Sequence, residues 1–267
     1  MTQQPAAPPV SYHTHTELSH CGQPDMIFEA AVAVAAEERY STVGFSDHIH
    51  PPQITDQPAH AARLRQYKRR RQDMGPTPEV FIGGEFDVLA PGLMVESEEI
   101  VAECEYFIVA PNHYHVHWVQ TPEGDVASVA AHELDTMETA INWTHTDVIV
   151  HPFADYVKRP GCTPNDQYRS CDKSRLRELL CRAVERRIAL EIQPRYWCQP
   201  ERAGELSELF DSWLALGGLI APGSDAHTLE SLRHWARCYD AMVQRFCLTP
   251  DLIWRPQAVA SSAGPST

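Results

Sequence analysis

The stretch Val10–His20 reads VSYHTHTELSH, a short apolar run followed at once by the three histidines His13, His15 and His20. The apolar run predicts a short β-strand. His13 and His15 are two residues apart, and side chains with this spacing on a strand lie on the same face. Both imidazoles are therefore predicted to reach one point at the end of the strand.

The same arrangement recurs along the chain, with short apolar runs that end in polar residues. Seven such runs are predicted strands: Val10–Thr14, Thr42–Ser46, Val80–Glu85, Tyr106–Ala110, Asp147–His151, Ile188–Ile192 and Leu219–Ser224. Apolar residues at three- and four-residue spacing predict the intervening helices. These are Asp25–Tyr40, Ala59–Asp73, Glu96–Cys104, Asp125–Trp143, Asp172–Arg187, Ala203–Leu216 and Leu229–Phe246. Lys158–Gln167 is predicted to be a long loop.

Alternating strands and helices predict an α/β fold with a parallel sheet and right-handed crossovers. Seven units in one domain favour a closed, distorted seven-stranded barrel similar to a TIM barrel, and an open doubly wound sheet is the alternative. The domain is predicted to span residues 10–257, between tails at 1–9 and 258–267. Barrel active sites lie at the carboxyl ends of the strands.

Residues with metal-ligand chemistry lie at or just after those strand ends. They are His13, His15, His20, His48, Glu85, His113, His151, Asp225 and His227. Imidazole and carboxylate together suit zinc, manganese or ferrous iron, and this set is too large for one ion. Asp47 is either a carboxylate that orients a ligand or a helix N-cap. Asp87, Asn112 and Gln193 are further candidates to orient ligands.

The motifs HTHTELSH, GFSDH, GGEFD, YFIVAPNH, VIVHPF and GSDAH together resemble the PHP (polymerase and histidinol phosphatase) family. The resemblance covers residues 10–228 and implies a distorted seven-stranded barrel with a trinuclear metal centre. It implies that His13, His15, Glu85 and Asp225 hold a first ion. By the same resemblance Glu85, His113 and His151 hold a second, and His20, His48 and His227 a third. His115 is the alternative to His113, because Pro111-Asn112 depart from the family pattern.

Two close divalent ions suit hydrolysis of a phosphate ester, because they supply hydroxide near neutral pH and bind the phosphoryl oxygens. Asp225 is the candidate proton acceptor, with Glu85 as the bridging ligand. Arg159 and Arg195 follow strand ends, and their guanidinium groups are candidates to donate hydrogen bonds to the phosphate group of the substrate. The prediction is a small-molecule phosphatase, with histidinol phosphate as the leading substrate by resemblance. The alternatives are a phosphodiesterase or nucleotide hydrolase, and a C–N hydrolase or iron redox enzyme.

The net charge of −14 disfavours a general nucleic-acid-binding surface. No apolar run is long enough to span a membrane, and no signal peptide is recognised, so a cytoplasmic location is expected. The eight cysteines are accordingly predicted to be reduced. The basic run Arg63–Arg71 is interpreted as a solvated helix face.

Overall fold

The computed structural model describes residues 7–154, 156–193, 204 and 206–257. Seven parallel strands form one sheet: β1 (Val10–Ser11), β2 (Thr42–Ile49), β3 (Glu79–Ala90), β5 (Phe107–Ala110), β6 (Val148–Ile149), β7 (Ala189–Ile192) and β8 (Ile220–Pro222). They follow one another in chain order. A short strand, β4 (Leu93–Met94), pairs antiparallel with the end of β3.

Hydrogen bonds between the first and last strand regions bring the two sheet edges together. Tyr12 N donates to Pro222 O at 2.8 Å, and Asp225 N donates to His13 O at 2.8 Å. A further bond runs from His15 N to Ala226 O at 3.0 Å. The sheet is therefore a nearly closed barrel, which confirms the predicted distorted seven-stranded architecture and excludes the open sheet.

Helices surround the barrel. They are α1 (Phe28–Glu37), α2 (Gln57–Gln72), α3 (Glu98–Val101), α4 (Val126–Asn142), α5 (Pro164–Ser170), α6 (Lys173–Glu185), α7 (Ser207–Ala215) and α8 (Leu229–Arg245). Side-chain caps define several of the starts. Asp125 accepts from Ser128 N, Asp172 accepts from Ser174 N, and Thr228 forms a capping box with Ser231.

One predicted loop is wrong, because the segment Lys158–Gln167 contains the start of α5. Thr163 accepts a hydrogen bond from Asp166 N, and the Asp166 carboxylate accepts one from Thr163 N. Pro164 occupies the first helical position, where its missing N–H costs nothing. This reciprocal cap with its proline is a local start signal that the loop interpretation overlooked.

An aromatic cluster packs together with the start of the barrel. The rings of Tyr12 and Trp254 are 5.0 Å apart, and Tyr106 donates its hydroxyl proton to Tyr12 O at 2.8 Å. Trp254 N donates to Ile220 O, which holds this end of the chain beside β8. These rings lie near the amino ends of β5 and β8, because Tyr106 directly precedes β5 and Trp254 is bonded to the first residue of β8.

The structure also bears on the basic run, the cysteines and the search for membrane-spanning segments. The basic run lies on α2, where Arg65, Arg70 and Arg71 pair with carboxylates of neighbouring elements at 2.6–2.9 Å. Cys238 is disulfide-bonded, so the prediction that every cysteine is reduced is wrong for this residue. Among the described residues, no helix combines the length and apolarity that a bilayer crossing needs.

Candidate metal centre

Predicted ligands from six different strand regions meet at the carboxyl end of the barrel. The side chains of His13, His15, Glu85, His113 and His151 are buried. His48 and Glu85 are register partners on β2 and β3, so both lie inside strands that extend further than predicted. Asp225 and His227 come from the segment after β8 and are partly exposed.

Glu85 lies at the centre of this cluster, and its two oxygens face different groups of imidazoles. Oε1 is 3.0 Å from His151 Nε2 and 3.3 Å from His113 Nε2. Oε2 is 2.6 Å from His48 Nδ1 and 3.4 Å from His13 Nε2. A carboxylate with this arrangement can bridge two cations.

One contact in the cluster lacks hydrogen-bond geometry despite its short distance. His48 Nδ1 and Glu85 Oε2 are buried, and neither has a hydrogen-bond partner among the described residues. Buried polar atoms without partners are costly, so they need a ligand that the protein itself does not supply. A divalent cation fits these donors, since imidazole nitrogen and carboxylate oxygen are its ordinary ligands.

Three overlapping groups of donor atoms are close enough to hold an ion, with all atoms of a group within 4.8 Å of one another. The groups are His13, His15 and Asp225; His48, Glu85 and His113; and His15, His48 and His227. His151 joins the second group through Glu85 Oε1. The donor set therefore suits more than one cation.

Partners on the Nδ1 atoms orient most of these rings and leave Nε2 toward the interior. His13 pairs with Glu191 at 2.6 Å, His15 with Ser19 at 3.1 Å, and His113 with Asp87 at 2.7 Å. His151 pairs with Asn112 at 2.8 Å. Such contacts fix the tautomer of a metal-ligating histidine.

Glu191 is a buried residue of the cluster that the sequence analysis did not predict. It lies on β7 and is buried, and its second oxygen accepts from His151 N at 2.8 Å. Gly223 makes room for it, because a Cβ at position 223 would lie 1.9 Å from Glu191 Oε1. The sequence did contain a signal for this residue, because Glu191 is the one charged residue in the otherwise apolar run IALEI, Ile188–Ile192. Gln193, which was predicted to orient a ligand, instead donates to Glu191 at 2.7 Å.

Asp47 orients the first histidine loop and does not cap a helix. It accepts from Thr16 N and from Ser19 Oγ, both at 2.7 Å. Ser19 Oγ in turn is 3.1 Å from His15 Nδ1. Because the serine proton is donated to Asp47, the His15 ring donates to Ser19 and keeps its Nε2 lone pair for a cation.

A second buried carboxylate, that of Glu133, contacts His151 indirectly through Asn112. Glu133, on α4, accepts from Asn112 Nδ2 at 2.8 Å and from Phe153 N at 2.9 Å. Tyr114 donates its hydroxyl proton to the other oxygen. Asn112 thereby holds a fixed orientation toward His151 Nδ1.

Two of the clustered residues have left-handed backbone conformations, with φ of 50° at Asp225 and 34° at His151. Non-glycine residues rarely adopt such angles, and they are concentrated at functional sites. At Asp225 this conformation accompanies a carboxylate whose Oδ1 is 3.2 Å from His15 Nε2.

The electrostatics of the cluster are those of closely spaced opposite charges. Burial by itself would raise the pKa of Glu85, but the imidazoles of His48, His13 and His113 hold that pKa well below its usual value. Burial would lower the pKa of His13, but Glu191, Glu85 and Asp225 hold it well above. Burial and the neighbouring rings of His48 and His227 keep the pKa of His15 well below its usual value. Imidazole binds a metal ion only when it is neutral, so a divalent cation would compete with the protons that the imidazoles share with the neighbouring carboxylates.

His113 and His115 differ in burial and in their contacts. His113 is buried, with its ring held between Asp87 and Glu85. His115 is exposed, and its ring lies 4.6 Å from that of Tyr156. His50, which was interpreted as an ordinary residue, is buried in the site, and its Nδ1 is 2.8 Å from Asp87.

Arg159, one of the two arginines predicted to bind the substrate phosphate, uses its guanidinium group in contacts with the backbone. Arg159 donates to the carbonyls of Gly124 and Pro122, at 3.0 and 2.6 Å. Arg195 falls outside the described residues. Arg63 of α2, from the basic run, instead lines a cavity of about 530 Å³ that also contacts His48 and His50.

A second cavity of about 350 Å³ opens directly onto the cluster. It is lined by His20, Cys21, His48, His50, His113, His115, Val116, Tyr156, Asp225 and His227. Volumes of this size accommodate small molecules. Any substrate in this cavity would contact the exposed edge of the candidate metal centre.

Neither a family model nor a curated protein sequence matches the chain. Its fold is similar to that of histidinol phosphate phosphatase from Lactococcus lactis subsp. lactis Il1403, a structure complexed with zinc, L-histidinol and phosphate. The two share 16% identity and a TM-score of 0.64, over 90% of this chain and 94% of the other. A candidate histidinol phosphatase from Listeria monocytogenes gives 14% identity and a TM-score of 0.59, over 84% and 97%.

At this level of identity the likeness concerns the fold alone. The fold is the distorted seven-stranded barrel of the PHP type, and the chain spans nearly the full length of both neighbours. The His/Glu/Asp cluster at its carboxyl end is a potential metal site.

Proposed function

We propose that this protein is a metal-dependent phosphoesterase that hydrolyses small phosphomonoesters, with histidinol phosphate as the leading candidate substrate. The observation that carries the proposal is the position of Glu85. Its Oε2 faces His48 and His13, and its Oε1 faces His113 and His151. Two cations sharing one carboxylate is the arrangement used to hydrolyse phosphate esters in many hydrolases.

The residues divide into sets for two to three divalent ions, with zinc, manganese or iron as candidates. His13, His15, Asp225 and one oxygen of Glu85 would hold the first ion. His113, His151 and the other oxygen of Glu85 would hold the second. His20, His48 and His227 would hold a third. This assignment remains a proposal.

When bound, such ions make water a nucleophile near neutral pH and neutralise charge on the phosphoryl oxygens. Asp225 would accept the proton of the attacking water, a role supported by its being a partly exposed carboxylate on the cavity wall. The rings of His13 and His15 hold this carboxylate in place, at 3.5 and 3.2 Å. Hydrolysis would yield an alcohol and inorganic phosphate, and the leaving oxygen would take up one proton.

Three observations support a small monoester over a polymer. The cavity at the cluster is about 350 Å³. The net charge of −14 repels polyanions, whereas a cationic metal centre attracts one phosphate group. The Lactococcus protein of similar fold was crystallised with L-histidinol and phosphate. A phosphodiesterase would use the same centre with a different leaving group, so it stands as the second candidate.

A substrate panel on metal-analysed protein, purified without chelators, tests the proposal. The panel contains histidinol phosphate, mononucleotides, a bis-aryl phosphodiester and a cyclic phosphate. We expect phosphate release from monoesters, and loss of that release in Asp225→Asn. Cleavage of diesters alone would favour the second candidate. No hydrolysis by fully metallated protein would refute both and favour C–N hydrolysis or iron redox chemistry.

A further inference from the structure

The larger of the two cavities, of about 530 Å³, lies next to the metal centre. It shares three lining residues, His20, His48 and His50, with the smaller cavity that opens onto the cluster. A phosphomonoester whose phosphate group lies at the cations can therefore extend its organic group into the larger cavity. The side chains that line this cavity would then determine which organic groups are accepted.

Trp118 lines the larger cavity, and its indole ring is held by contacts on the side of the metal centre. Its Nε1 donates to Asp87 Oδ2 at 3.0 Å, and the other oxygen of Asp87 lies 2.7 Å from His113 Nδ1. The ring centroid of Trp118 is 4.7 Å from that of His50. Part of the indole remains exposed. A tryptophan held in this way offers a flat apolar surface on which an aromatic ring can stack.

Two aliphatic side chains, Leu18 and Ile54, add to the apolar lining of the larger cavity. Leu18 is partly buried, whereas Ile54 is 41% exposed and is one of the few large apolar side chains that remain so accessible among the described residues. An apolar organic group in the cavity would remove part of this surface from water, which is favourable.

His60, in the first turn of α2, supplies a polar group to the same cavity. The residue is 4% exposed, and its Nε2 is buried without a hydrogen-bond partner among the residues that the structure describes. Buried polar atoms usually have a partner, and an imidazole nitrogen can either donate or accept one hydrogen bond. A ring nitrogen of a flat ligand can supply this partner without adding bulk to the ring.

We propose that the larger cavity binds the organic group of the substrate and selects a nitrogen-containing heteroaromatic ring. The ring stacks on Trp118, and its nitrogen forms a hydrogen bond with His60 Nε2. This inference rests on the proposed phosphomonoesterase function and deepens it by naming the substrate class. Histidinol phosphate and the mononucleotides belong to this class, whereas sugar phosphates do not.

Matched phosphomonoesters test the proposal: cyclohexylmethyl phosphate, benzyl phosphate, and 3- and 4-pyridylmethyl phosphate. All are phosphates of primary alcohols with organic groups of similar size, so they differ mainly in the flatness of the ring and in its nitrogen. For the wild type, we expect kcat/KM to be about 2- to 10-fold higher for benzyl than for cyclohexylmethyl phosphate, the effect of one aromatic pair. At least one pyridylmethyl isomer should gain a further factor of about 2 to 10 from its hydrogen bond.

Variants assign the two preferences to their residues. Trp118→Leu should lose the preference for benzyl over cyclohexylmethyl phosphate. Trp118→Phe should keep it, because this variant loses only the N–H bonded to Asp87 and retains an aromatic ring. His60→Phe should keep the benzyl preference but lose the pyridylmethyl preference. Leu93→Ser, at an exposed apolar residue of β4, is the control and should keep both.

The ratios of kcat/KM are measured on one preparation of each protein, so a partial loss of metal affects all four substrates alike. A wild type that shows no benzyl preference, or a Trp118→Leu variant that keeps it, would overturn the stacking role. A wild type that hydrolyses neither pyridylmethyl isomer faster than the benzyl ester, or a His60→Phe variant that still does, would overturn the role of His60.

These outcomes are distinct from failure of the proposed function. A fully metallated wild type that hydrolyses no phosphomonoester would refute that function and this inference with it. A wild type that hydrolyses all four esters with equal kcat/KM would refute the assignment of the larger cavity alone.

Discussion

His13 Nδ1 lies 2.6 Å from Glu191 Oε1, and both groups are buried. The carboxylate holds the ring so that Nε2 points toward Glu85 and Asp225. Glu191 also accepts from His151 N, so one side chain positions elements from two strand ends. We therefore expect Glu191 to act through the histidines, as a positioning residue.

We expect Glu191→Gln to weaken metal binding about 10- to 100-fold, because the amide is a poorer partner for an oriented imidazole. Competition with a chelating dye measures the affinity. Glu185→Gln, at an exposed position on α6, is the matched control and should bind metal as the wild type does. Equal affinities in the two variants would contradict the positioning role.

Asp225→Asn tests the proton acceptor. Asparagine tolerates the left-handed backbone conformation at this position, so the fold should be retained. We expect turnover of a phosphomonoester to fall by about 10²- to 10⁴-fold, the usual contribution of a general base. Steady-state kinetics and metal analysis are measured on the same preparation. Full metal content with near-normal turnover would exclude Asp225 as the base.

Removal of metal should destabilise the protein, because an ion that binds only the folded state stabilises that state. At a free ion concentration 1,000 times the dissociation constant, one site contributes about 4 kcal/mol. Thermal unfolding is compared for protein as purified, after dialysis against a chelator, and after zinc is restored. We expect a lower melting temperature after chelation, with recovery on addition of zinc. Identical melting curves would argue against a metal centre.

Arginine variants test substrate recognition. Arg63 lines the larger cavity, whereas the Arg159 guanidinium already donates to two backbone carbonyls. We expect Arg63→Ala to raise KM for a phosphomonoester more than Arg159→Ala does, with metal content unchanged in both. Arg195→Ala is predicted to raise KM as well. Arg70→Ala, which removes an ion pair with Glu29, is the control. Unchanged KM in the first three variants would place phosphate recognition elsewhere.

The free energy of unfolding should depend on pH through the ionisation of Glu133. Burial raises its pKa to about 7, from an ordinary value of 4.5. The folded protein therefore binds this proton more tightly than the unfolded chain does. Protonation stabilises the folded state, so the free energy of unfolding should fall as the pH rises from about 4.5 to about 7.

Glu133→Gln should remove this part of the pH dependence, which amounts to at most about 3 kcal/mol over that range. Urea unfolding of both proteins at pH 5 and pH 7 measures the difference. Glu178→Gln, at an exposed position, should retain the wild-type dependence. If Glu133→Gln also retained it, Glu133 would not be the group responsible.

Local patterns in the sequence predicted much of the barrel. Short apolar runs ending in histidine or carboxylate marked the strand ends, and the order of strands and helices indicated a parallel sheet. The same patterns could not show that β2 and β3 extend to Ile49 and Ala90. That extension depends on long-range pairing, which places His48 and Glu85 in register.

The amino-acid sequence by itself determined which side chains could bind cations and that the strand ends would bring them together, because strand periodicity and ligand chemistry are local properties. Only the tertiary structure decided how each side chain is presented. It buried His113 but exposed His115, and it placed Glu191 beside His13. These arrangements depend on packing and on hydrogen bonds between residues far apart in the chain, such as His13 and Glu191. A local sequence pattern does not encode such contacts.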